Sequence, residues 1–212
     1  MDRVTAAWIY DTLAEHYPDA CTPLPFFHSP FQVLILTILS AQTTDQAVDK
    51  IRPALFARYP TPADLAAADV HEVEKIIHST GFYRVKARHI ISTAAMLVNR
   101  FGGTIPSTME ELLLLPGVGR KTANILLFHA LGINAGIAVD THVKRLAGRL
   151  GLTTRIEQDL IEQDLMNLYP QERWGDLTDI MIAHGRRCCT AINPHCGVCP
   201  VSNVCPFYQQ TR

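Results

Sequence analysis

Four cysteines stand within the last 24 residues of a 212-residue chain, at Cys189, Cys196, Cys199 and Cys205, with six, two and five residues between successive members. Thiolates grouped this closely near one chain end are donors for a soft metal centre rather than disulfide partners spread through a fold. They satisfy a four-iron four-sulfur (4Fe-4S) cluster, one thiolate per iron corner, and they satisfy tetrahedral zinc equally well, although the paired Cys-x-x-Cys arrangement usual for zinc is absent. Cys188 adds a thiol beside the first of the four, and Cys21 stands alone.

A second group of residues has anion chemistry. Leu112 to Ala123, with Pro116-Gly117-Val118-Gly119-Arg120-Lys121 at its centre, reads as helix, tight glycine turn, helix. Gly117 and Gly119 are expected to let the backbone take positive φ and its amides face outward, and the first amides of the following helix add a partial positive charge. Such a turn binds a phosphate without reading sequence. Lys121 opens that helix, where Arg120 and the positive helix end disfavour its protonated form, so its amine is a candidate nucleophile; as a plain phosphate contact it would need no such tuning. Asp140 follows the apolar stretch Ile137-Ala138-Val139 at an expected helix start, which makes it an N-cap. Two residues on, His142 fits a packing or hydrogen-bonding role.

The elements that must position these residues are helical. Period-3.6 patterns recur and no stretch sustains period-two alternation with β-branched residues, so the chain is expected to be all-α. Helices are expected near 3–17, 30–41, 44–57, 62–68, 70–79, 85–101, 107–115, 120–131, 139–150, 156–169 and 173–187. Ser107 with Glu110 fits a capping box, and Thr61-Pro62 fits a cap with proline at the first helical position. The run Phe31 to Leu36 is apolar almost all round and reads as a central buried helix rather than a buried strand.

Composition excludes several classes. With 48% apolar residues the chain has ample core. Its most apolar run is far shorter than the roughly 20 residues of a membrane span, and no export signal opens it, so it is expected to be intracellular (cytoplasmic). The net charge of −1 hides a contrast: residues 81–149 carry nine Lys or Arg against three acids, the remainder ten against seventeen. The middle of the chain is where a phosphate backbone would settle, with Arg84, Lys86 and Arg88 forming part of a basic stripe.

The string Leu-Pro-Gly-Val-Gly-Arg-Lys-Thr-Ala resembles the helix-hairpin-helix signature of base-excision glycosylases, and the chain from about Ser29 to Cys205 is similar to the endonuclease III family, its iron-sulfur cysteine spacing included. The resemblance implies a two-lobed helix-hairpin-helix glycosylase fold. One lobe would span 22–132 and contain the hairpin at about 107–131; the other would join 1–21 to 133–212 and carry the cluster loop at 189–205. It implies a bifunctional DNA glycosylase and AP lyase of base excision repair, expected to act as a monomer on double-stranded DNA that holds an oxidised pyrimidine or an abasic site. Lys121 would attack the anomeric carbon of a flipped nucleotide, displace the base and cut the strand by β-elimination, while Asp140 would stabilise positive charge on the sugar.

By the same resemblance, Gln42 in Ser40-Ala41-Gln42-Thr43-Thr44 would enter the gap left by the flipped base, and Phe82 in Gly81-Phe82-Tyr83-Arg84 would form a second wedge where the family often has leucine. On residue type alone Gln42 is a polar turn residue and Phe82 a core side chain. Two alternatives remain at this stage. A monofunctional mismatch or alkyl-base glycosylase is opposed by Lys121 and by Thr37, which stands where the mismatch adenine glycosylases have glutamate. A non-catalytic iron-sulfur DNA-binding protein is opposed by the joint presence of Lys121 and Asp140.

Overall fold

The computed structural model describes residues 1–20 and 29–210. Cys21 and the lobe boundary expected at residue 22 lie outside them. Among the described residues all regular structure is helical. In chain order the α-helices are α1 (Arg3–His16), α2 (Pro30–Ser40), α3 (Asp45–Arg58), α4 (Pro62–Ala66), α5 (Val70–Ile77), α6 (Tyr83–Phe101), α7 (Met109–Leu112), α8 (Arg120–Leu131), α9 (Thr141–Arg149), α10 (Gln158–Leu168), α11 (Trp174–Arg187) and α12 (Pro206–Gln210). Short 3-10 turns lie at His78–Thr80, Gln171–Arg173, Cys196–Val198 and Ser202–Val204. No described helix is long and apolar enough to cross a membrane.

The chain divides into two compact units, Phe26–Gly132 on one hand and Met1–Pro25 with Ile133–Arg212 on the other. In the first, α2 is the central rod. Ser29 caps it by accepting from the Gln32 amide at 3.2 Å, Pro30 opens it, and seven of its eleven residues are buried. It packs against α3, α6 and α8. The longest helix, α6, turns Ala87, Ile90, Ala94 and Leu97 inward at spacings of three and four. Burying each larger aliphatic side chain contributes roughly 1.5–3 kcal/mol. The capping box at Thr61 and Asp64 is present. At α7 the cap falls one residue later than expected: Thr108, not Ser107, accepts from Glu111, whose carboxylate takes the Thr108 hydroxyl at 3.0 Å.

The second unit packs α1, α9, α10 and α11 around Ile9, Leu13, Val143, Leu146, Ile161, Leu165, Ile180 and Met181, all fully buried. Its C-terminal segment between α11 and α12 holds only two 3-10 turns and contributes Val201 and Cys205 to the core. So little apolar surface does not hold a loop of this length by itself, which places the weight on its polar ties and its thiols.

Candidate functional site

The hairpin between α7 and α8 depends on one glycine for its turn and on another for its open face. Gly117 has φ +80°, and a Cβ there would lie 2.9 Å from Nδ1 of His89 on α6. Four residues further along α6, Thr93 donates its hydroxyl to the Pro116 carbonyl at 2.8 Å, so α6 backs the turn. Gly119 is different from expectation: its φ of −102° is extended backbone, and a Cβ there meets nothing within 4 Å. It is the N-cap of α8 and brings no side chain to cover the helix's first amides. Lys121 stands exposed in that first turn.

Asp140 is the N-cap of α9, its Oδ1 accepting from the Val143 amide at 2.8 Å, and it is half-buried. The extended segment leading to it has no sheet to join, so its backbone is satisfied by side chains. Buried Glu162 accepts from the Ile137 amide at 3.3 Å, buried Thr178 accepts from the Ala138 amide at 3.1 Å, and Gln158 donates to the Val139 carbonyl at 2.9 Å. These three residues fix where the Asp140 carboxylate emerges. Sequence reasoning missed them because each is an ordinary polar residue on a helix face. His142 takes the hydrogen-bonding role, with Nδ1 3.1 Å from the Arg145 guanidinium.

The two loops expected to enter DNA each carry a non-glycine residue in left-handed backbone, Gln42 at φ 52° and Phe82 at φ 46°. That conformation costs about 1–2 kcal/mol per L-residue and persists only where neighbours hold it. Both side chains are on the surface, Phe82 at 69% exposure, which rules out the core-packing role for its ring. Arg84 is exposed too, with its guanidinium over the Tyr83 ring, and Arg88 is exposed. Lys86 departs from the basic stripe. It is 5% exposed, and its Nζ donates to the Leu39 carbonyl at 2.8 Å, the Thr43 hydroxyl at 2.5 Å and the Thr80 carbonyl at 2.6 Å. Three internal acceptors saturate an ammonium, so a direct phosphate contact is not open to it. Burial also pushes its pKa below the usual lysine range. Thr37, on α2, bonds its hydroxyl back to the Val33 carbonyl at 2.7 Å and offers no carboxylate.

In the C-terminal segment, Cys188, Cys189, Cys196, Cys199 and Cys205 all line one cavity, whose empty volume, open solvent included, is about 330 Å³. His184 and Arg149 share the lining, and no carboxylate does. Sulfur and imidazole donors without a carboxylate suit iron-sulfur or zinc better than calcium or magnesium. His184 is buried with its Nδ1 2.9 Å from the Tyr17 hydroxyl and its Nε2 3.7 Å from the Cys199 sulfur. Burial pushes His184 down to about 4 and the Cys199 thiol up to about 12. A thiol like this is a poor nucleophile, and metal binding would displace its proton to solvent, so the donor set fits a metal centre better than a reactive cysteine. Cys188 is buried and donates to the His195 carbonyl at 3.6 Å.

Two arginines of α9 tie this loop down. Arg145 donates to the Cys189 and Gly185 carbonyls, and Arg149 donates to the Cys189 sulfur at 3.3 Å and the Thr190 carbonyl at 2.7 Å while stacking on Phe207. Like Lys86, they belong to the basic stretch 81–149 but face inward, so the local excess of charge overstates the basic surface. Arg187 forms a two-pronged pair with Asp19 at 2.9 and 2.6 Å.

Residues 35–171 match the HhH-GPD superfamily of base excision DNA repair proteins, and residues 189–205 match the iron-sulfur binding domain of endonuclease III, with Cys189 and Cys205 at its ends. Endonuclease III of Synechocystis sp. is 51% identical over 197 residues, covering 93% of this chain and 90% of that protein. Among solved structures, a non-covalent endonuclease III–DNA complex is 40% identical with a TM-score of 0.92, covering 100% of this chain and 98% of that one. A trapped covalent endonuclease III–DNA intermediate has the same identity and TM-score, covering 100% of this chain and 99% of that one.

Proposed function

Since the chain belongs to the endonuclease III family of HhH-GPD base excision repair proteins, we propose that Lys121 is its nucleophile and Asp140 its charge-stabilising carboxylate. The protein is a bifunctional DNA glycosylase and AP lyase. Its partner is DNA, and its inferred substrates are duplexes carrying an oxidised pyrimidine or an abasic site, engaged by a monomer. The observation that carries the assignment is Lys121 itself: an exposed amine in the first turn of α8, directly after a hairpin whose Gly119 leaves the helix's amides uncovered. The amides hold a phosphate, which brings the sugar of the damaged nucleotide to the amine.

The Lys121 amine attacks C1′ of the flipped nucleotide through its nitrogen lone pair. The C1′–N bond breaks and the base leaves with that electron pair and a proton. As positive charge builds on the sugar, Asp140 stabilises it; the carboxylate is already ordered by its bond to the Val143 amide. Ring opening gives an iminium between Lys121 and C1′. Loss of a C2′ proton pushes electrons through C2′–C3′ and expels the 3′ phosphate, and water then frees the lysine. Gln42 and Phe82 occupy the space the base vacated.

The cofactor is a 4Fe-4S cluster, with Cys189, Cys196, Cys199 and Cys205 as its ligands. When bound it would supply a cross-link among the four thiolates. Arg145 and Arg149 hold the loop's first ligand from α9, the helix that Asp140 caps.

Borohydride trapping on a duplex containing thymine glycol tests the assignment. Wild type should form a covalent adduct, Lys121→Gln none, and Asp140→Asn a strongly reduced yield. Free base released without any adduct in wild type would instead mean a monofunctional glycosylase.

A further inference from the structure

Two helical ends in the unit Phe26–Gly132 converge on one ammonium. Leu39 lies in the last turn of α2 and Thr80 ends the 3-10 turn His78–Thr80, so both carbonyls sit at helix C-termini, where the last carbonyls lack intrahelical partners and carry partial negative charge. Lys86 Nζ donates to both. Its third proton goes to Thr43, whose own hydroxyl donates to the Thr80 carbonyl and so closes the link between the two loops. Each anchored carbonyl is followed within three residues by a left-handed non-glycine residue, Gln42 after Leu39 and Phe82 after Thr80.

We propose that Lys86 is a positioning residue: its ammonium clamps the Gln42 loop to the Phe82 loop, so that both side chains are presented together to the gap opened in the duplex. An aliphatic residue would fill the same space without burying a charge, so packing alone does not account for a lysine here. Buried charge beside two strained backbone positions is the pattern expected where geometry has been held for function. The clamp lies on α6, the helix that also backs the hairpin through His89 and Thr93, three and seven residues further along the same face. One rigid element thereby sets the distance from the gap-filling loops to the phosphate-binding turn.

The proposal rests on Gln42 and Phe82 being the gap-filling residues, and the test separates the two claims. A single strand has no gap, so the readout is the ratio of single-turnover cleavage of an abasic site in duplex to that in a single-stranded oligonucleotide. A second readout is the fluorescence gain of 2-aminopurine placed opposite the site. Lys86→Met should lower the duplex ratio roughly tenfold or more, the scale of losing charge-assisted hydrogen bonds, and should blunt the 2-aminopurine signal. Thr43→Val keeps the ammonium and removes only the cross-link; it should act in the same direction to a smaller extent, and it carries the test if Lys86→Met does not fold by circular dichroism. Combining Lys86→Met with Gln42→Ala should cost less than the product of the two single losses. If Gln42→Ala and Phe82→Ala leave the ratio at its wild-type value, the gap-filling reading fails and the clamp with it. If they lower the ratio while Lys86→Met and Thr43→Val do not, or if those two depress single-strand and duplex cleavage equally, the clamp alone is overturned.

Discussion

At the scale of single residues, the cap that Asp140 makes and the catalytic role proposed for it can be separated by mutation. Its Oδ1 caps α9 by accepting from Val143, and asparagine caps nearly as well as aspartate while carrying no charge. Asp140→Asn should therefore melt close to wild type yet lose most base release. Asp140→Ala should lose activity and also about 1 kcal/mol of stability, a fall of roughly 2–4 °C in a protein of this size. Thermal melts beside single-turnover glycosylase rates check this, and equal melting of the two variants would remove the cap from the account. Residue types made Asp140 and Lys121 legible in the sequence, since each stands at a recognisable helix start. Lys86 was not legible in that way. A lysine's charge is written in the sequence, but the direction of its stem is not; the available signal was its place four residues before Ile90 and seven before Thr93, on the edge of the buried stripe of α6. Arg84 and Arg88, off that stripe, are the ones that reach solvent.

At the scale of elements, the hairpin's two glycines answer to different constraints, although the sequence presents them alike. Gly117 is required by its own fold: positive φ and a Cβ position 2.9 Å from the His89 ring. Gly119 has extended backbone and open space around it, so nothing inside the protein demands glycine there. Gly117→Ala should destabilise by roughly 1–3 kcal/mol. Gly119→Ala should change stability by no more than about 0.5 kcal/mol, since lost chain entropy offsets a poorer cap, while its methyl obstructs close approach of a phosphate. Denaturant melts paired with fluorescence anisotropy on a duplex bearing a stable abasic analogue decide it; tight binding by a well-folded Gly119→Ala would show that the phosphate does not seat there. The helices themselves were readable because their apolar periodicity and caps agree. The extended stretch before Asp140 was not, because its backbone is satisfied by Glu162, Thr178 and Gln158, residues 19 to 40 positions away that no local pattern connects to it.

At the scale of the whole molecule, the two units differ in what holds them. Phe26–Gly132 is built on helices with continuous apolar faces, of which α2 is buried over most of its length. In the other unit, the segment from Cys188 to Cys205 has two 3-10 turns, little apolar burial, and polar ties to Arg145 and Arg149 whose acceptors are the loop's own carbonyls and the Cys189 sulfur. A segment so poor in core depends on cross-linking, as small metal-bound modules do, and the binding energy of the cluster is then folding energy of the loop. Oxidative removal of iron in the presence of a chelator should accordingly strip amide hydrogen-exchange protection from residues 188–210 and from the facing ends of α9 and α11, while α2, α6 and α8 keep theirs. The arginines make the loss spread: without an ordered loop, the guanidinium groups of Arg145 and Arg149 lose internal acceptors and the last turns of α9 lose their packing on Phe207. Protection lost evenly through both units would mean that the chain unfolds as one cooperative body and that the cluster stabilises all of it. Protection kept everywhere would mean that the arginine ties and the buried Val201 and Cys205 suffice, leaving the thiolates a role other than holding the loop.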